Sequence, residues 1–176
     1  YGGDKAIFAY GTTGSATAIS NLVNNSGVVA TDTTGVGTAR YSLAAARYGT
    51  DKAIFGYGTT GSVSSLTNLV SNSGVIATDT SGVGSARRTL AATGYGGDKA
   101  IFGYGTTGSN SSLTNLVSNV GVVAADVTGV GTARRLLAAA GYGTDKAIFG
   151  YGYSVSALSL TNLVSNTGVV AADVTG

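Results

Sequence analysis

The string Asp-Lys-Ala-Ile-Phe begins at Asp4 and returns at Asp51, Asp98 and Asp145, each time after 47 residues. Taking each unit from its Tyr divides a single repeat array over 1–176 into copies 1–47, 48–94, 95–141 and 142–176, the last incomplete. Copies two and three differ at ten positions and so agree at 37 of 47. A fixed period of roughly 20–50 residues marks stacked or ring-forming modules in which each unit covers its neighbour. That constraint outranks any local reading of the chain.

The residue types present narrow the chemistry. The chain has no His, Cys, Met, Trp or Pro, and no Glu either. The usual ligands of zinc, copper, haem and iron–sulfur clusters are therefore missing, and no cofactor or metal is expected. Neither a Ser-His-Asp nor a Cys-His nucleophile can be assembled. The eight acidic residues are all Asp, at two positions repeated in each copy. A tuned acid/base pair needs carboxyls in different environments, and near-identical copies supply near-equivalent ones. The chain is therefore not expected to be an enzyme. With a net charge of +2, 10% charged residues and no basic stripe, it offers nucleic acid no footprint. No apolar run approaches the roughly 20 residues of a membrane span.

Copy two shows the unit most cleanly. Lys52 to Gly58 alternates side chains, which predicts a strand with Ala53, Phe55 and Tyr57 on one face and Ile54 on the other. Large apolar groups on both faces suit a strand sandwiched between neighbouring sheets. Thr59 to Ser62 reads as a loop, and Leu66 to Ser71 as a second strand. Asn72-Ser73-Gly74 forms a turn, Val75 to Thr78 a third strand, and Asp79 is placed to cap its own turn. The segment Ala86 to Tyr95 is ambiguous. Its Ala, Leu and Arg favour a helix, yet it runs straight into the next Asp-Lys-Ala-Ile-Phe strand. A fourth strand there completes a four-stranded blade, with Ala91 and Ala92 fitting near a crowded axis. The preferred fold is an all-β β-propeller of about 47-residue four-stranded blades, the alternative an α/β solenoid with a short helix per repeat.

A single sheet with two apolar faces cannot bury both alone, so the units must stack. Phe8, Phe55, Phe102 and Phe149, with Leu22, Leu69, Leu116 and Leu163, are the expected recurrent core. Copy four lacks a counterpart of Val36 to Arg47, so a four-bladed ring of this chain alone would be one strand short. A longer array, or two chains sharing an eight-bladed ring, answers that shortfall.

The run Ala86-Arg87 through Leu90-Ala91-Ala92, then Gly96-Gly97-Asp98-Lys99-Ala100-Ile101-Phe102-Gly103-Tyr104-Gly105, resembles a kelch motif. Its elements are an Arg, a small apolar strand, a turn with Gly and Asp, an apolar strand and a glycine pair. Leu113-Thr114-Asn115-Leu116-Val117 is similar to the kelch third strand. The resemblance implies a propeller serving as a binding platform; the metal or radical residues of kelch-like enzymes have no counterpart here.

Three recurrent positions are candidate sites. Asp32, Asp79, Asp126 and Asp173 sit in turns with one acidic residue each, which suits capping better than calcium. Arg40, Arg87 and Arg134 suit bonds to backbone carbonyls between blades, with ligand contact as the alternative. Tyr10, Tyr57, Tyr104 and Tyr151 stand between small residues at a strand end; they either stack on sugars or dock a protein, or pack between blades. The leading expectation is a non-catalytic structural or multivalent binding module at a glycan or cell-surface target, on a virion, tail fibre or cell exterior. The contrasting one is an assembly scaffold whose partners are further copies of the repeat, in the same chain or a homo-oligomer.

Overall fold

The computed structural model describes residues 1–176. It is all-β, twelve strands and no helix, arranged as four separate antiparallel sheets none of which closes on itself. The first sheet holds β1 (Ala6–Thr12) and β2 (Ala16–Val23). The second orders β3 (Ala44–Tyr48), β4 (Lys52–Gly56) and β5 (Thr67–Val70). The third repeats it with β6 (Ala91–Tyr95), β7 (Lys99–Gly103) and β8 (Thr114–Val117). The fourth contains β9 (Ala138–Tyr142), β10 (Lys146–Gly150), β11 (Leu160–Val164) and β12 (Val174–Thr175). The structure contains no helix long and apolar enough to cross a membrane.

The ambiguous Arg/Ala segment resolves as strand, and the α/β solenoid with its helix per repeat is overturned. Ala91 to Tyr95 pair with β7, Ala92 opposite Phe102 and Thr93 opposite Ile101. Local helix propensity amounts to only a few tenths of a kcal/mol per residue, and pairing with an apolar strand outweighs it. Three of the four sheets straddle a repeat boundary: β3 ends copy one and pairs with β4 of copy two, Ala45 opposite Phe55, whereas β1 and β2 both lie in copy one.

The expected third strand, Val75 to Thr78, forms only one isolated bridge, Val70 to Ile76, with a second, Thr67 to Thr80, just beyond it. The Ala77 amide still donates to the Leu69 carbonyl at 2.8 Å, but a side chain takes the next rung. Asn68 Nδ2 donates to the Ala77 carbonyl at 3.0 Å, so the backbone there diverges from a regular edge strand. In the fourth sheet the equivalent edge does include the short strand β12.

The sheets stack in series through three apolar seams. Ala53 and Phe55 pack backward on the first sheet, against Ile7, Ala9 and Tyr10. Ile54 and Tyr57 pack forward on the third, with Ala100, Phe102 and Val117. Ile101 and Tyr104 repeat this against Ala147, Phe149 and Val164. Strict alternation placed Tyr57 with Phe55; the structure places it with Ile54. The reason is a left-handed backbone, φ 67° at Tyr57 and likewise 65°, 63° and 60° at Tyr10, Tyr104 and Tyr151. One residue in that region swings the ring to the opposite face; it follows the end of β4, β7 and β10 and breaks the register of β1 between Ala9 and Gly11.

Close approach explains the preceding glycine. A Cβ on Gly103 would lie 2.6 Å from Phe149 Cζ, and one on Gly56 would lie 2.7 Å from Phe102 Cζ. Both rings are buried and cannot swing aside. Gly103→Ala is therefore expected to cost about 1–3 kcal/mol by overpacking, read as a fall in the urea midpoint. Gly141→Ala is the control: its Cβ would meet nothing nearer than 3.6 Å, and its midpoint should barely move.

Candidate functional site

Each seam is locked by one arginine. Arg87 is fully buried. Its Nε donates to the Tyr104 carbonyl at 3.0 Å and its Nη2 to Asn115 Oδ1 at 2.5 Å. Its Nη1 reaches the Ser85 carbonyl and Asp126 Oδ1, both at 3.3 Å. The guanidinium carbon stands 4.7 Å from the Tyr57 ring centroid, so the charge is sandwiched between a π face and a set of acceptors. Arg40 and Arg134 repeat the arrangement over Tyr10 and Tyr104, with Asn68 and Asn162 as acceptors. The rings complete the seam edge to face: Tyr10 with Phe55, Tyr57 with Phe102 and Tyr104 with Phe149, at 5.4, 5.1 and 5.2 Å. No buried side-chain polar atom is left without a partner.

The aspartates answer a different need from the one expected. Asp79 does not cap its own turn. It accepts from the preceding repeat, at 2.9 Å from the Thr38 amide and 2.6 Å from Thr38 Oγ1, and from Asn68 Nδ2 at 2.9 Å. Asp126 and Asp173 do the same with Ser85 and Thr132. Gly37 and Gly84, both at φ +77°, let the backbone pass this close: a Cβ on either would lie 2.3 Å from the carboxylate. Asp32, in the first repeat, accepts from Asn21 but from no preceding repeat.

Burial opposes ionisation of Asp79, Asp126 and Asp173, yet the hydroxyl, amide and arginine partners outweigh it and hold all three carboxyls below the ordinary value. A lowered folded-state value means the stabilisation is present above the unfolded value of 3.8 and lost as pH falls through the lower one. The thermal midpoint is thus expected to hold above about pH 4 and to drop in more acid solution. Asp126→Asn should flatten that acid slope; an unchanged slope would show that this carboxylate does not couple the seam to pH. Burial pushes the Tyr57 phenol up to about 12, which keeps it a neutral donor to the Val83 carbonyl at 3.3 Å.

Of the seven residues singled out as ligand candidates, six serve these seams. Tyr57, Tyr104, Arg40, Arg87 and Arg134 are fully buried, and Tyr10 is half-buried beneath Arg40. They touch other repeats and present no open face to a ligand. Tyr151 alone is open, 60% exposed. Sequence reasoning missed Asn68, Asn115 and Asn162, although each stands 28 residues after its arginine and is fully buried. That constant spacing was the available signal.

The surface offers a second arrangement. The small residues of β3, β6 and β9, among them Ala46, Thr93 and Gly141, line one cavity of about 380 Å³ contributed by three sheets. Lys99 and Lys146 stand at its wall and pair with their neighbours Asp98 and Asp145 at 3.1 and 3.9 Å. Such exposed pairs are worth under about 1 kcal/mol and leave the lysines free to turn toward a ligand. Nowhere do three or more Asp side chains converge as a metal site would require. The chemistry on offer is hydrogen bonding and shallow contact. A comparison with known proteins finds no matching family model and no similar curated protein.

Proposed function

We propose that the chain is a non-catalytic, propeller-type array of kelch-like blades that presents one surface repeatedly to a polysaccharide at a cell or virion exterior. The observation that carries this reading is where the polar chemistry goes. The fully buried Arg and Asn of each seam, with the seam Asp, are engaged in holding one repeat to the next, which leaves the repeats to act through their loops. Those loops are hydroxyl-rich: Thr13 to Ser15, Thr60 to Ser62 and Thr107 to Ser109 are exposed and recur at the repeat spacing. Weak hydrogen-bonding sites held at fixed intervals gain through avidity on a repetitive target. The consecutive antiparallel order of the strands within each sheet, the stacked faces, and strands β3, β6 and β9 around one cavity support a propeller over a flat stack.

The test is retention on immobilised neutral and acidic polysaccharides. Retention that soluble oligosaccharide of the same type displaces is the expected result. A folded chain that elutes unretarded from all of them sinks the binding reading. The assembly reading is the alternative, favoured by one observation: the outer faces of the first and last repeats expose large apolar residues, Phe8 at 64% and Tyr151 at 60%.

A further inference from the structure

The cavity along β3, β6 and β9 gathers polar groups that the seams leave unused. Arg47, Lys99 and Lys146 line it, against a single carboxylate, that of Asp145. Its volume, about 380 Å³, falls within the range of small-molecule sites, roughly 300–1,000 Å³. Each lysine is paired with the aspartate before it. Arg47 pairs with no carboxylate. Its Nη2 donates to the Thr50 carbonyl at 3.2 Å, and its other N–H groups have no partner in the protein. Arg40 and Arg134 differ in this, since each is fully buried and its Nε, Nη1 and Nη2 all donate to acceptors.

Two departures from the repeat meet in this cavity. Where copy one has Arg47, copies two and three have Gly94 and Gly141. The Arg47 stem lies over the first of these glycines, its Cγ 3.4 Å from where a Cβ would stand. Where copies one and three have Ala46 and Ala140, copy two has Thr93. Thr93 is only 8% exposed, and its Oγ1 bonds to no group of the protein. No buried side-chain polar atom is orphaned, so this hydroxyl opens to solvent. It lies beside Gly141, 4.0 Å from where that residue's Cβ would stand, and both residues line the cavity. A free guanidinium and a recessed free hydroxyl thus share one volume, and neither recurs at the matching positions of the other copies.

We propose that this cavity binds one acidic sugar of a polysaccharide through a monoanionic oxyanion, a carboxylate or a sulfate ester. Arg47 takes the oxyanion with its planar fork of N–H donors. Lys99 and Lys146, whose exposed pairs are weak, turn to flank it, and Thr93 Oγ1 meets a sugar hydroxyl. A doubly charged phosphate suits the site less, because Arg47 alone brings charge that no carboxylate already answers. The inference rests on the polysaccharide reading above and narrows it: the loops hold the chain by avidity, and the cavity selects acidic sugars.

The test is calorimetric titration with trigalacturonate, sulfated maltotriose, neutral maltotriose and inorganic sulfate. At least one acidic trisaccharide is expected to bind once per chain, and which one binds separates carboxylate from sulfate ester. Neutral maltotriose should bind at least about tenfold more weakly, and so should the acidic sugar to Arg47→Gln, each having lost the charge-assisted contact. Thr93→Ala, which gives copy two the residue of its neighbours, should weaken binding about threefold or more. Lys52→Ala is the control and should change nothing: Lys52 holds the place of Lys99 in its own repeat, paired likewise with the preceding aspartate, but outside the cavity. Urea midpoints confirm that each variant is folded. The proposal is overturned if neither acid binds, or if inorganic sulfate binds as tightly as the sugar. A Lys52→Ala loss as large as that of Arg47→Gln overturns it too, since attraction is then diffuse. Retention on neutral polysaccharide should survive Arg47→Gln, so failure of the cavity and failure of the loop reading give different patterns.

Discussion

Arg87→Met is expected to destabilise the chain by about 3–5 kcal/mol, measured as the shift of its urea unfolding transition. The substituted side chain fills much of the volume but donates nothing. Asn115 Oδ1 and the Tyr104 carbonyl lose their donor in a fully buried place, and Asp126 loses the charge 3.3 Å away. Leaving a buried acceptor unmet costs about 1–3 kcal/mol, and the stranded carboxylate adds to that. Set against a typical total of about 5–15 kcal/mol, the loss is large enough to unfold one seam at mild denaturant. Arg87→Lys should recover little, because one ammonium cannot reach three separated acceptors while lying flat over the Tyr57 ring. A double-mutant cycle with Asn115→Leu should show coupling: once the arginine is gone, removing its acceptor costs less than it does alone. A loss under about 1 kcal/mol for Arg87→Met would mean that the guanidinium is solvated and the seam is held by its apolar residues alone.

The period made the architecture legible. Residues 99 to 103 read as a strand with apolar side chains on both faces, and such a strand needs a sheet on either side. Stacking follows from that without further information, and the buried Ile101 and Phe102 lie on opposite seams accordingly. What could not be read is where alternation breaks. Tyr57 follows Phe55 by two residues and so belongs on its face by the period-two rule, but its positive φ reverses the sense. A glycine on either side signalled irregular backbone without giving its direction.

The seam residues were legible as recurrence and illegible as partnership. Asp79 precedes Thr80-Ser81-Gly82, the local pattern of a self-capping turn, and nothing local reveals Thr38, 41 residues earlier, as its donor. A contact between repeats leaves no mark on either repeat alone. The arginines fared better, because their recurrence once per unit already suggested bonding to carbonyls between blades, which Arg40 Nε to the Tyr57 carbonyl at 2.9 Å matches.

Phe8 and Phe102 occupy the same position in the same five-residue string, and their replacement by Ala is expected to differ several-fold in cost. Phe102→Ala should cost about 3–5 kcal/mol, the price of a cavity in a packed core. Its ring is fully buried, edge-on to Tyr57 and pressed against Gly56, and none of these neighbours can close over the void without moving a sheet. Phe8→Ala should stay within about 0.5 kcal/mol, since Phe8 is 64% exposed. Paired urea titrations of dilute protein decide the matter, with sequence context held constant between the two sites. A large Phe8 effect would instead mean that this face is covered within one chain, and the open array would have to be redrawn as closed.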